Sequence, residues 1–175
     1  MSATLSRWHV IAVPPLLALA ALATGCSSAP PLEARAADAQ RVIVERRTMP
    51  NEVGTAIARL AMSQVGAPYH YGGTNPAQGF DCSGLVFYTY TQAGYDVPRT
   101  SQEQFRVTRK ISLGDATPGD LMFFQDQTKL SHVGIYLGDG RFVHAPSSGQ
   151  RVAVADLDLP YYREHLVAIG RLLPL

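Results

Sequence analysis

The chain has 175 residues, 46% of them hydrophobic and 17% charged, with 15 Lys and Arg against 14 Asp and Glu and a formal net charge of +1. That length and apolar share support one globular domain around one ordinary core. The near-cancelled charge excludes the clustered basic surface that tracks a phosphate backbone, so nucleic acid is set aside as a partner.

The amino terminus and Arg7 precede an apolar run from Val10 to Leu22, interrupted by Pro14 and Pro15. The run is too short to span a bilayer and has the layout of a secretory signal. It ends in Ala23-Thr24-Gly25-Cys26, which resembles the lipobox of bacterial lipoproteins, with Ala23 where Leu is commoner. The resemblance implies removal of residues 1–25, acylation of Cys26 and a membrane anchor, each buried CH₂ contributing roughly 0.8 kcal/mol. An ordinary signal peptide with an incidental Cys is the plain alternative. Ser27 stands where Asp would resemble an inner-membrane retention signal, which points to the outer membrane and the periplasmic side of the envelope. From Cys26 to Asn51 the chain is rich in Ala, Pro, Arg and Glu without a sustained apolar period, the composition of a tether. Arg46-Arg47 within it is read as a solvated charge pair.

The folded domain is expected over 52–175. Val53, Ile57, Leu60 and Ala61 recur at helical spacing until Gly66 and Pro68 stop the helix. A Gly-rich loop follows from Tyr69 to Phe80, then a helix from Cys82 to Gln92 that Gly94 ends. A short third helix is signalled by a capping box, either Ser101 with Gln104 or Thr100 with Glu103. Beyond Pro118-Gly119 the pattern turns to strands at Asp120–Phe124, His132–Leu137, Arg141–Ala145, Arg151–Ala155 and Leu166–Leu172. Helices first and strands afterwards, joined by short turns, predict an α+β domain with an antiparallel sheet.

The chain has two cysteines, so lipidation of Cys26 leaves Cys82 without an intramolecular disulfide partner. Cys82 lies in Gly79-Phe80-Asp81-Cys82-Ser83-Gly84, at the start of a predicted helix. Orphan N–H groups and the helix dipole favour an anion there, and a histidine partner can lower a thiol so placed from about 8.5 into the range of roughly 3.5–7.5. A Cys packed as a small core hydrophobe is the alternative. His132 and His144 flank a hairpin whose turn type decides whether they meet. A two-residue turn at Asp139-Gly140 sends the two rings to opposite faces. A three-residue loop, Gly138-Asp139-Gly140 with Gly140 left-handed, sets His144 opposite Gly134 and diagonal to His132 on one face. Gly134 then leaves room for the rings to approach. Thiol, imidazole and a polar ring together follow the nucleophile, base and orienter logic of covalent catalysis.

Tyr69 with Gly72-Gly73, Asp81-Cys82-Ser83-Gly84, Pro98-Arg99-Thr100-Ser101, Pro118-Gly119-Asp120-Leu121, and His132-Val133-Gly134 with Phe142-Val143-His144 closely resemble, in order, the NlpC-type cell-wall cysteine peptidases from Val53 onward. The resemblance implies a papain-like fold and hydrolysis of an amide in peptidoglycan stem peptides or their cross-links. Cys82 would be the nucleophile, His132 the base and then the acid, and His144 its orienter. The Tyr69 hydroxyl and the Cys82 backbone N–H would hold the oxyanion. Asp81 and Ser83 sit where the family contacts substrate; Asp81 either pairs with an ammonium of the wall peptide or caps its helix. His70 departs from the family pattern and is read as a loop residue, Arg99 as a structural partner of a nearby oxygen, and His165 as structural. No cofactor or metal is expected. Partners are wall stem peptides, a membrane reached through the lipid anchor, and an adaptor or regulator if one exists.

Two rival functions share these residues. One is a catalytically inactive lipoprotein that docks on the wall. The other is a metal site from Cys82, His132 and His144, three ligands with an open fourth position.

Overall fold

The computed structural model describes residues 51–127 and 129–172. The signal segment, Cys26 and the tether through residue 50 lie outside the described residues. Among those described, no helix is long and apolar enough to cross a membrane.

Helix α1 is present from 51 to 62, and the chain turns out of it at Gly66, whose φ of 93° a side chain would disfavour. Ile57 and Ala61 face the core as the spacing predicted, with Val53 packed partly against it; Leu60 is only half-buried, and Ala58 takes a core place the spacing did not single out. The Gly-rich loop contains two short paired strands, β1 (Thr74–Asn75) and β2 (Gly79–Phe80), which the sequence did not signal. Helix α2 (Cys82–Gln92) follows at once. Asp81 caps it: its backbone is extended and Oδ1 accepts the Gly84 N–H at 2.6 Å. Helix α3 (Ser101–Val107) is capped by Thr100, whose Oγ1 accepts from the Glu103 N–H, so the second of the two capping alternatives is the one used. Gln104 is buried instead, and its Nε2 donates to the carbonyls of Ser83 at 3.0 Å and Pro98 at 2.8 Å.

Six strands form one antiparallel sheet: β3 (Thr108–Ile111), β4 (Leu121–Asp126), β5 (Lys129–Gly138), β6 (Arg141–His144), β7 (Ala153–Asp156) and β8 (Leu166–Leu172), in the order β3-β8-β4-β5-β6-β7. Helix α4 (Pro160–His165) precedes β8. Strand β3 and helix α4 were not anticipated. The exposed Arg109 and Lys110 of β3 and the six-residue length of α4 leave little periodic signal for either.

Alternation along the strands sorts the core into two sides. Leu121, Phe123, Val133, Ile135 and Val143 meet Leu85 and Val86 of α2 and Ile57 and Ala61 of α1. Met122, Phe124, Tyr136, Phe142 and Ile169 face the other way, with Tyr162 of α4 against them. The carboxylate of Asp120, 3% exposed, is matched by the Arg171 guanidinium through Nε at 2.8 Å and Nη2 at 2.7 Å. That fork ties β8 to the entry of β4, which gives Pro118-Gly119-Asp120 a structural task.

The hairpin reaches the register that unites the histidines by a different turn from the one expected. Ile135 pairs with Val143 and Tyr136 with Phe142, but the last pair is Gly138 with Arg141, so Leu137 is bulged out. Asp139 and Gly140 have φ of 52° and 71°, a two-residue turn with both central residues left-handed. By itself this turn would separate the two rings. The bulge adds the residue that returns them to one face.

Candidate active site

Three segments converge at the start of α2. The Tyr69 strand is pinned on both sides, its N–H donating to the Gln150 carbonyl at 2.9 Å while the Phe80 N–H donates to Pro68 O at 3.0 Å. Glycines permit the close packing: a Cβ on Gly84 would lie 1.9 Å from the Gly73 carbonyl oxygen. Asp-Cys-Ser-Gly therefore ends in glycine because the helix rests on loop backbone.

Cys82 occupies the first helical position, half-buried and free. Its sulfur is approached by the backbone N–H groups of Val133, Ser83 and Cys82 itself. Val133 directly follows His132, so the thiol lies against the strand segment that carries the imidazole. Among the described residues no hydrogen bond joins the sulfur to the His132 ring. Burial pushes the thiol above its ordinary value and the Asp81 charge adds to the rise, while the three N–H groups oppose both. Burial thus works against the depression expected from the helix terminus.

His132 Nε2 lies 2.7 Å from His144 Nδ1, so the two rings share a hydrogen bond. The His132 nitrogen left for another partner is Nδ1. Burial, then the neighbouring His144, hold His132 down to about 3, and burial holds His144 down to about 4. Burial therefore favours neutral imidazoles beside a neutral thiol. Gly134 was expected to leave room for these rings, but the Phe142 ring fills that room: a Cβ on Gly134 would sit 2.5 Å from Phe142 Cδ2. Phe142 in turn packs on His144, with centroids 5.0 Å apart, and Phe124 packs on His132 at 5.9 Å.

Asp81 is saturated. Oδ2 accepts the Gly72 N–H at 2.9 Å and Arg99 Nη2 at 2.7 Å, and Oδ1 accepts Arg99 Nη1 at 3.0 Å besides the cap. Arg99 also donates to Ser83 Oγ at 2.9 Å. Burial raises the Asp81 carboxyl, and the hydrogen bonds from Arg99, Gly84 and Gly72 outweigh it and bring it below the usual range. Of its two candidate roles the structure realises the cap; an ammonium from a substrate would have to displace Arg99. Tyr69 lies close enough to feel Cys82 and Asp81, and burial with those charges raises its phenol, which keeps its proton. His70 is exposed, and His165 stacks on Tyr161 at 4.3 Å, away from this group.

Among the described residues no three His, Cys, Asp or Glu side chains converge as metal ligands. Instead His132 and His144 turn one nitrogen each toward the other. Sequence reasoning missed Tyr162, whose hydroxyl lies 3.3 Å from His144 Nε2. Its signal, an aromatic in a six-residue helix, is too local to read.

A match to the model of the NlpC/P60 family runs over residues 66–171. The chain belongs to the NlpC/P60 family. This NlpC/P60 chain is 45% identical over 119 residues to the bifunctional muramidase/DL-endopeptidase CwlT of Bacillus subtilis, covering 66% of this chain and 36% of that protein. It is 37% identical over 142 residues to the murein DD-endopeptidase MepH of Escherichia coli, covering 78% and 50%. The chain thus spans about a third to a half of the length of these two curated relatives. The crystal structure of an NLP/P60 family protein similar to a lipoprotein, from Staphylococcus aureus, aligns with TM-score 0.65 at 37% identity over 71% of this chain and 43% of that one. The NlpC/p60 domain of the peptidoglycan hydrolase SagA aligns with TM-score 0.60 at 35% identity over 67% of this chain and 97% of that one. These likenesses accord with the α+β, papain-like fold.

The buried histidines carry a pH signature. Both stay neutral in the fold far below 6.5, whereas in the unfolded chain they protonate near that value. Their folded values are depressed, so their contribution is whole above about 6.5 and is lost as pH falls toward 4 and then 3. The melting temperature is expected to drop across that window, and to drop less in a His144→Asn chain. Melts of both proteins at pH 7, 5 and 4 check this; equal declines would contradict it.

Proposed function

We propose that this chain is a cysteine-type peptidoglycan endopeptidase that cleaves an amide in wall stem peptides or their cross-links. The observation that carries the reading is a free thiol at the first position of a capped helix, against the strand whose His132 is bonded to His144 at 2.7 Å. Cys82 attacks the carbonyl as His132 Nδ1 takes the thiol proton, so charge appears only as the bond forms. His132 returns the proton to the leaving amine, and water then hydrolyses the thioester. The Cys82 N–H, an orphan donor at the helix start, and the Tyr69 hydroxyl bind the oxyanion, each donor typically worth about 2.7–4 kcal/mol. Asp81 and Ser83, tied together by Arg99, brace the start of α2 beside which the peptide lies. Support for the substrate comes from the relatives named as murein and DL-endopeptidases.

Digestion of purified wall, with the new amine and carboxyl ends identified by mass spectrometry, tests the activity and finds the bond. Release of no new ends by the full chain would sink the proposal.

The same reading includes a lipid on Cys26, which would hold the enzyme at the periplasmic side of the envelope, on the outer membrane. Cys26→Ala is expected to free the protein from membranes and leave turnover of soluble muropeptides unchanged, because the tether separates anchor from cleft. Fractionation decides it; a mutant that still sediments with membranes would refute the lipobox as sole anchor.

A further inference from the structure

His144 is 4% exposed, and each of its ring nitrogens meets a protein group. Nδ1 faces His132 Nε2 at 2.7 Å, and Nε2 faces the Tyr162 hydroxyl at 3.3 Å. Tyr162 stands on α4, with its ring against Phe142 at 4.9 Å, Phe124 at 5.5 Å and His144 at 5.5 Å. A phenylalanine would serve that packing equally well. The hydroxyl aimed at Nε2 is the part that packing does not require.

The proton positions follow from the chemistry, and this step rests on the role proposed for His132. To accept the thiol proton, His132 must have Nδ1 bare and therefore carry its hydrogen on Nε2. That N–H can donate to His144 only if His144 Nδ1 is bare, which puts the His144 hydrogen on Nε2. The Tyr162 oxygen is the acceptor waiting there. In the opposite arrangement His144 Nδ1–H donates to His132 Nε2 and forces the His132 hydrogen onto Nδ1, where it blocks the base. A phenol donates as well as accepts, so there Tyr162 O–H would meet a bare His144 Nε2; once His132 has taken the thiol proton both its nitrogens carry hydrogen, and only the arrangement in which Tyr162 accepts satisfies His144.

We propose that Tyr162 is a positioning residue, whose hydroxyl oxygen accepts the His144 Nε2–H and so supports the tautomers in which His132 can take up and hold the thiol proton. It touches neither substrate nor thiol and acts only through His144. His132, His144 and Tyr162 are then a line of hydrogen bonds running from β5 through β6 to α4, with Cys82 of α2 beside its His132 end, and α4 belongs to the working site although it lies on the opposite side of the sheet's core from α2.

Tyr162→Phe keeps the ring and removes the oxygen. It is expected to lower kcat about tenfold with KM and melting temperature unchanged, the loss of one buried hydrogen bond expressed in a tautomer population. In a His144→Asn background the same change should have no further effect, since the Asn side chain ends short of the phenol. Nitrogen NMR of the histidine rings should show His144 protonated on Nε2 in the parent protein and a mixture of tautomers in Tyr162→Phe. Wild-type kcat with unchanged ring signals would overturn the proposal, and so would an equal loss in both backgrounds, which would mark packing as the cause. If the parent protein releases no new ends from wall, the endopeptidase reading fails, and the ring spectra still decide whether Tyr162 sets the tautomer.

Discussion

Cys82→Ser is expected to fold normally and to lose wall hydrolysis by at least about three orders of magnitude. Folding is spared because the cap of α2 is the Asp81 carboxylate, and Ser supplies the same backbone N–H at the first helical position. Catalysis is lost because burial works against a ready-made anion at this site. Burial holds the thiol protonated and holds His132 down to about 3, so His132 is a weak base. A thiol, with its ordinary value near 8.5, can still surrender its proton to such a base as the carbonyl is attacked; an aliphatic hydroxyl is far more basic as its anion and cannot. Iodoacetamide should inactivate the parent enzyme and EDTA should not. Activity lost in EDTA and restored by zinc would overturn the thiol mechanism, and a fully active Cys82→Ser chain would do the same.

The second large effect is expected at His144. His144→Ala removes the partner of His132 Nε2 and leaves a buried N–H without an acceptor, so the ring is free to turn or to move its hydrogen to the other nitrogen. The expected fall in kcat/KM is on the order of a hundredfold or more, and His144→Asn should recover part of it, because an amide oxygen offers an acceptor in the same direction. His132→Asn should recover nothing, since an amide cannot take up and return the proton. Thermal melts separate these effects from instability, which matters because His144 also fills space beside Phe142 and Tyr162. Two unrelated core histidines would instead predict a less stable His144→Ala protein with normal turnover per folded molecule.

Local chemistry made much of this protein readable. The α2 helix announces itself by a capping Asp81 before it and Gly94 after it, and both signals act within one turn of chain. The strands from β4 to β6 and β8 follow from apolar runs bounded by turn residues, and the thiol at a helix start follows from position alone. The β5–β6 register was also within reach as one of two alternatives, since the parity of the loop decides whether both histidines share a face or take one each. How the hairpin attains it was not, because the strands combine a two-residue turn with a bulge at Leu137, and the turn residues alone do not distinguish that pair from a three-residue loop.

Tertiary structure alone decided three further matters. Asp81 could cap, bind a ligand or do both until Arg99, 18 residues away, took its remaining lone pairs. The thiol and imidazole could form an ion pair or stay neutral, and the desolvation that favours the neutral pair is a sum over α2, β5 and the core behind them. Tyr162 reaches His144 only because β7 and α4 fold back across Phe124 and Phe142. Helix caps and strand alternation are set by neighbours within a few residues and are therefore written in the sequence, whereas burial, charge pairing and proton position depend on groups that meet only when the sheet has closed over them.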